Sequence, residues 1–92
     1  MEQILEQIAQ SLFASKNEIW PDARSHYTEA WSLFEQQKSH ADKNLSALLA
    51  LTDLASRGSS GGWDYLGEAK ELLRAICSRQ NYTSGAMSTL LS

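Results

Sequence analysis

Few side chains in this chain of 92 residues could do chemistry, and their spacing does not build a catalytic site. His26 and His40 are the two histidines, and they lie 14 positions apart. Ser25 adjoins His26, but adjacent residues of a helix point in different directions. A serine nucleophile instead needs a base within hydrogen-bond reach of its hydroxyl group. We therefore expect that the protein is not an enzyme.

Metal ions and phosphate groups find no standard binding motif in the sequence either. One cysteine and two distant histidines do not match the ligand spacing of zinc sites. Glu68 and Glu71 are helical neighbours, but they lack the nearby histidine of a helical di-iron site. The segment 59–62 offers backbone donors before a helix, yet it lacks a lysine, and Asp64 would repel a phosphate. We expect neither a metal ion nor a cofactor.

The charge balance argues against nucleic acid as the partner. The formal net charge is −3, and eight Lys and Arg residues are scattered among eleven acidic ones, whereas nucleic-acid binders usually carry a basic patch. No apolar run approaches the ~20 residues that cross a bilayer. Glu2 and Glu6 stand where a secretory signal would carry basic residues. We expect a cytoplasmic protein without membrane contact, whose single cysteine, Cys77, lies in the core.

The composition predicts an all-α fold. Leu, Ala, Glu and Gln are abundant and valine is absent, which favours helices over strands. The first helix is predicted at Glu2–Lys16 from one apolar stripe, with Asn17 in the left-handed conformation that ends it. Pro21 marks the start of a second helix that runs to about Lys38.

Two more helices complete the predicted bundle. The third, from about Lys43 to Arg57, is the most apolar segment. Gly58 is predicted to cap its end in the left-handed conformation and opens the loop that follows. The fourth is predicted from Trp63 to Gln80. Ser39 and Asp42 indicate a capping arrangement that separates helices two and three. One continuous helix from Pro21 to Arg57 is the alternative.

We therefore predict a single helical domain over residues 1–80 and a flexible C-terminal tail over residues 81–92. The domain is a small bundle of about four short helices, paired as two antiparallel hairpins. Ser and Thr are frequent in the tail, and Met87, Leu90 and Leu91 are the tail side chains that could dock on the bundle.

Aromatic and apolar side chains on helices two and three form most of the predicted partner-binding surface. Trp, Tyr and Arg concentrate binding energy at interfaces, and four short helices cannot cover every apolar side chain of the third helix. The residues assigned to this surface are Trp20, Arg24, Tyr27, Trp31, Phe34, Leu48 and Trp63. Core packing is the competing interpretation of Trp31, and contact with a first helical turn is the competing one for Trp20 and Trp63.

These features predict a small helical protein that acts by binding another protein, as an adaptor, a chaperone or an inhibitor of the immunity type. A homodimer is one way to cover the surplus apolar surface. One alternative is a sensor or sponge for a small anionic, nucleotide-like ligand at a subunit interface. Its candidate ligand-binding residues are Arg24, His26, Lys38, His40 and Arg74. Another alternative is a regulator associated with nucleic acid.

Overall fold

Five α-helices and no strand occur in the described part of the chain. The computed structural model describes residues 2–37, 43–58, 62–82 and 85–91. None of the helices there is both long and apolar enough to cross a membrane. The protein is therefore a small all-α bundle, as its composition predicts. Its helices are α1 (Glu2–Lys16), α2 (Trp20–Gln36), α3 (Lys43–Ala55), α4 (Gly62–Gln80) and α5 (Gly85–Leu91).

Helix α1 lies at the centre of the bundle. Its apolar residues recur every three or four positions, so they gather on one side of the helix. Ile4, Leu5, Ile8 and Leu12 are fully buried, and α1 contacts all four other helices. Phe13, at the margin of this stripe, remains 37% exposed. Removal of the stripe from water is the main stabilisation of α1.

A Schellman motif ends α1 and turns the chain back. The Ile19 N–H donates to the Ala14 carbonyl at 2.8 Å, and the Glu18 N–H donates to the Ser15 carbonyl at 3.1 Å. The left-handed residue is Glu18, with a φ of 60°, whereas the sequence analysis assigned that role to Asn17. The chain completes one more residue of the turn first, and the Asn17 side-chain amide satisfies a carbonyl one turn earlier at 2.9 Å.

Helix α2 runs antiparallel to α1. The Ser11 hydroxyl donates to the Ala23 carbonyl at 2.7 Å, and His26 Nδ1 lies 2.8 Å from the Gln7 amide oxygen. Residue numbers therefore fall along α1 as they rise along α2. A short connection between helices favours this antiparallel arrangement, and the fully buried Ala23 and Ala30 leave room for a close approach.

Helices α2 and α3 are separate and contact each other. Helix α2 ends at Gln36, and α3 begins at Lys43. Arg24 Nη1 lies 2.6 Å from Asp53 Oδ1, whereas one straight helix would hold these residues about 43 Å apart. The continuous-helix alternative therefore does not describe this structure. The predicted capping arrangement at positions 39–42 lies outside the described residues.

Helices α3 and α4 also meet in an antiparallel arrangement. With its amide oxygen turned towards α4, Asn44 accepts from Nη1 and Nη2 of Arg79 at 3.1 and 2.7 Å. This contact joins the start of α3 to the end of α4. Gly58 follows α3 with a φ of 70°, which is the left-handed conformation predicted for the end of this helix. Residues 59–61 of the predicted loop lie outside the described part of the chain.

Residues 85–91 form α5, where the sequence analysis predicted a flexible tail. Met87 and Leu90 are fully buried, and α5 packs against α1 and α4. Asn81, with a φ of 54°, redirects the chain after α4, and the Tyr82 N–H donates to the Cys77 carbonyl at 3.1 Å. Two apolar side chains one turn apart gain enough by burial to dock this short helix.

Cys77 lies in the core, as the sequence analysis expected. Its side chain is buried, and Sγ lies 3.3 Å from Sδ of Met87 on α5. Burial raises the pKa of the Cys77 thiol, because the charged thiolate loses its hydration there. The residue packs α5 onto α4 and has the character of a small apolar side chain.

Candidate interaction surface

The outward side of α3 carries no charged residue between Lys43 and Asp53. The inward side holds the buried residues Leu45, Leu48, Leu49, Thr52 and Ala55. The outward residues fall at the spacing that places side chains on one side of a helix. Two are exposed alanines, one is a half-buried leucine and one is a leucine that is 36% exposed: Ala47, Ala50, Leu51 and Leu54.

Trp31 flanks this side of α3 from α2. Arg24, near the start of α2, contacts Asp53, near the end of α3. Trp31 lies seven residues after Arg24, which is two turns further along the same side of α2. It therefore lies on the side of α2 that Arg24 turns towards α3. The Trp31 side chain is 44% exposed, and its ring packs 5.6 Å from that of Phe34.

Tyr65 flanks α3 from the opposite side, on α4. Tyr65, Leu72 and Arg79 follow one another at intervals of seven residues, so they share one side of α4. Arg79 contacts Asn44 of α3, which shows that this side of α4 lines α3. Leu72 packs partly against the core, and Tyr65 remains 37% exposed.

We call these six residues the α3 face: Trp31, Ala47, Ala50, Leu51, Leu54 and Tyr65. Exposed aromatic and apolar side chains that meet in one continuous region mark interaction sites more often than scattered ones do. The two alanines at the centre let another backbone come close.

An ionic cluster closes one end of the α3 face. Asp53 accepts from Arg24 Nη1 at 2.6 Å and from Arg57 Nη2 at 2.9 Å. Arg24 also donates to the Ser56 hydroxyl at 3.0 Å, and its guanidinium carbon lies 5.0 Å from the centre of the Tyr27 ring. These contacts tie the first turns of α2 to the end of α3.

The surroundings of the ionic cluster shift the pKa values of Asp53 and Tyr27. The hydrogen bond from Arg57 lowers the pKa of the Asp53 carboxyl group below its ordinary value, and Arg24 lowers it further, against the opposing effect of burial. Burial raises the pKa of Tyr27, and the negative charge of Asp53 adds to that effect. At neutral pH, Asp53 is therefore ionised and Tyr27 carries its proton.

The structure divides the residues that the sequence analysis assigned to the surface. Phe34 is 2% exposed and Leu48 is 0% exposed, so both side chains belong to the core of this chain. Phe34 turns inward because it lies closer than Trp31 to the buried side of α2 that carries Ala23 and Ala30. Of Phe34, Leu48 and Trp31, only Trp31 is exposed to solvent.

The other assigned residues have different surroundings. The Trp20 ring lies against Gly58, where an added Cβ atom would come within 3.0 Å of it. Arg24 and Tyr27 belong to the ionic cluster and are partly exposed. Trp63 is the second residue of α4, and its side chain lies outside the described part of the chain.

Sequence reasoning missed Ala47, Ala50, Leu54 and Tyr65 as surface residues. The signal is present in the sequence, because the third helix is its most apolar segment and carries more apolar side chains than four short helices can cover. Choosing which half faces outward requires the positions of α1, α2 and α4, since Leu48 and Ala47 are equivalent in an isolated helix. Alanine also carries no conspicuous chemistry, although it permits close helix contact.

The residues considered for an anionic ligand do not converge in the described part of the chain. Arg24 pairs with Asp53 on α3, and His26 contacts Gln7 on α1. Arg74 lies on α4 beside Glu71, at 3.8 Å. Positions 38 and 40 lie outside the described residues. An open depression of about 430 Å³ is lined by Glu2, Gln3, Gln37 and Gln80, and none of these described residues is cationic.

Among the residues that the structure describes, no group of three His, Cys, Asp or Glu side chains could hold a metal ion. Neither a protein-family model, nor a curated protein, nor a solved structure matches this chain. The α3 face and the ionic cluster at its end are therefore the features from which a function can be argued.

Proposed function

We propose that this protein is a small, non-enzymatic interaction protein that binds another protein chain through the α3 face, as an adaptor, a chaperone or an inhibitor does. The observation that carries the proposal is the uncharged outward side of α3, flanked by the exposed rings of Trp31 and Tyr65. Exposed tryptophan and tyrosine are the residue types that concentrate binding energy at interfaces.

The shape of this surface favours a helical partner. Residues 47, 50, 51 and 54 have the spacing of residues that pack against another helix. The small side chains of the two alanines leave a shallow depression between the larger ones. An amphipathic helix laid across α3 would bury Leu54 and the two aromatic rings together. A cytoplasmic location is the setting in which we place this activity.

A matched pair of arginine substitutions tests the proposal. Ala50→Arg puts a charge at the centre of the α3 face, whereas Ser78→Arg puts one at an exposed position on the flank of α4 turned away from α3. Both variants should keep the helical circular dichroism spectrum, because arginine is a good helix former. Tagged wild-type protein and both variants are used to capture proteins from the native host, with quantitative mass spectrometry.

We expect a protein that wild type and Ser78→Arg retain in stoichiometric amount and that Ala50→Arg loses. Equal recovery of every captured protein by Ala50→Arg and wild type would place the binding surface elsewhere and refute the proposal.

A further inference from the structure

We infer that the α3 face of one chain packs on the α3 face of a second copy, in an inclined antiparallel crossing, when no other partner is bound. This inference rests on the proposed function, because it names the first occupant of the same surface.

The centre of the α3 face suits a two-fold axis. A surface on such an axis meets itself, so any charge at its centre would lie against the same charge of the second copy. No charged residue occurs between Lys43 and Asp53, and Ala47 and Ala50 leave space for the second backbone. Helix α1, by contrast, is already covered on its outer side by α5.

The ends of α3 decide the direction of the crossing. Lys43 lies at the start of the outward stripe, and at its other end Arg24 and Arg57 share the single carboxylate of Asp53, so both ends carry a net positive charge. A parallel pair would place each of these residues beside its own copy. A coaxial antiparallel pair would place Lys43 beside Arg57. Both arrangements bring like charges together, which is unfavourable.

In an inclined antiparallel crossing, the basic residue at each end of one α3 lies next to a carboxylate of the other copy. Glu68 lies on α4 between Tyr65 and Leu72, beside the last turns of α3, and it is exposed. Glu35 lies on α2 one turn after Trp31, on the same side of that helix, and it is also exposed. When the second α3 tilts towards α4 at its first turn, its Lys43 reaches Glu68 and its Arg57 reaches Glu35.

The same tilt buries the aromatic side chains of the face. Leu54 of the second copy passes over Trp31, and the aliphatic part of its Lys43 passes over Tyr65. Helices in globular proteins commonly cross at about 50°, which is enough to carry the ends of one helix over the neighbours of the other. All six residues of the α3 face then contribute to the contact.

Sedimentation velocity of the full chain over a range of concentrations tests the inference. We expect wild-type protein and the Ser78→Arg control to form a dimer of twice the 10.2 kDa chain mass, and Ala50→Arg to remain a monomer. Lys43→Glu and Glu68→Lys should each weaken the dimer by about fivefold to twentyfold, because a two-fold contact is lost twice.

The double variant Lys43→Glu with Glu68→Lys should restore the dimer, since it inverts the pair that the crossing brings together. Lys43→Glu with Glu35→Lys should not restore it, because Glu35 faces Arg57 in this arrangement. A monomer at all concentrations, a dimer that Ala50→Arg leaves intact, or no rescue by the first double variant would each overturn the inference.

These outcomes separate this inference from the proposed function. A monomeric wild-type chain that captures another protein through position 50 refutes the dimer and keeps the proposed function. A dimer that Ala50→Arg dissociates, in a chain from which that substitution removes no captured protein, supports the dimer and refutes the proposed binding of other proteins.

Discussion

Gly58 and Gly67 predict opposite responses to one chemical change, the replacement of glycine by alanine. Gly58 lies after α3 with a φ of 70°, and a Cβ atom there would meet the Trp20 ring at 3.0 Å. Gly67 lies within α4, and an added Cβ atom there meets nothing within 4 Å. The same methyl group should therefore destabilise the fold at the first position and stabilise it at the second.

The magnitude at Gly58 combines three effects. The left-handed conformation costs a residue with a Cβ atom about 1–2 kcal/mol. Displacement of the tightly placed Trp20 ring adds about 1 kcal/mol. The lower conformational entropy of unfolded alanine offsets about 0.4–1 kcal/mol. We expect Gly58→Ala to lower the free energy of unfolding by about 1–2.6 kcal/mol, which lowers the Tm of a domain this size by about 4–21 °C.

At Gly67, the substitution by alanine changes only the helix propensity of the residue and the conformational entropy of the unfolded chain. Gly67→Ala should raise the free energy of unfolding by about 1 kcal/mol, because alanine is the better residue within a helix. Urea unfolding followed by circular dichroism measures both variants on one scale. A third variant, Trp20→Ala with Gly58→Ala, should show a smaller cost of the glycine substitution than the wild-type background does.

Two outcomes of the Gly58→Ala measurements would contradict these expectations. If Gly58→Ala is neutral or stabilising, the chain after α3 does not hold the left-handed conformation against Trp20. If the cost of Gly58→Ala is the same with and without the Trp20 side chain, the ring contact contributes nothing, and the backbone alone accounts for the loss.

Three other predictions follow from the core and the ionic cluster. Asp53→Asn should lower stability by about 1 kcal/mol at neutral pH, since partly exposed ion pairs are weak. The pKa of Asp53 is lowered in the folded state. The difference in free energy of unfolding between wild type and Asp53→Asn should therefore be full above the ordinary carboxyl pKa of about 3.9 and vanish as pH falls through the folded pKa. A difference that is independent of pH would contradict this. Met87→Ala should cost about 2–5 kcal/mol in urea unfolding, whereas the exposed Ser88→Ala control should cost little, and equal values would show that α5 does not dock. Cys77 should react with a thiol reagent only on unfolding, and rapid reaction of the native chain would contradict its burial.

Sequence patterns alone predicted four of the five helices in the described part of the chain, with ends within about two residues of those in the structure. The helix at Glu2–Lys16 has the predicted bounds, because an apolar stripe of the helical period is a property of the local sequence. Gly58 takes the predicted left-handed conformation, since it lacks a Cβ atom. Such features depend on neighbours within one or two turns, and those neighbours are written in the sequence.

Only the tertiary structure decided which apolar residues face outward. Leu48 and Ala47 belong to the same apolar helix, but α1 and the neighbouring helices cover the first and leave the second exposed. The same holds for Phe34 and Trp31 on α2, of which the larger side chain remains open. The interior of a small bundle can hold only some of the apolar side chains, so which of them are buried depends on residues far apart in the chain.

The segment after α4 shows the same division most clearly. Its composition of Ser, Thr and Gly is typical of a flexible tail, yet Met87 and Leu90 are fully buried against α1 and α4. A short helix has little stability alone, so the apolar site that the other helices present decides whether it forms. Local propensity sets what each segment can become, and the neighbours supply the burial that makes it stable.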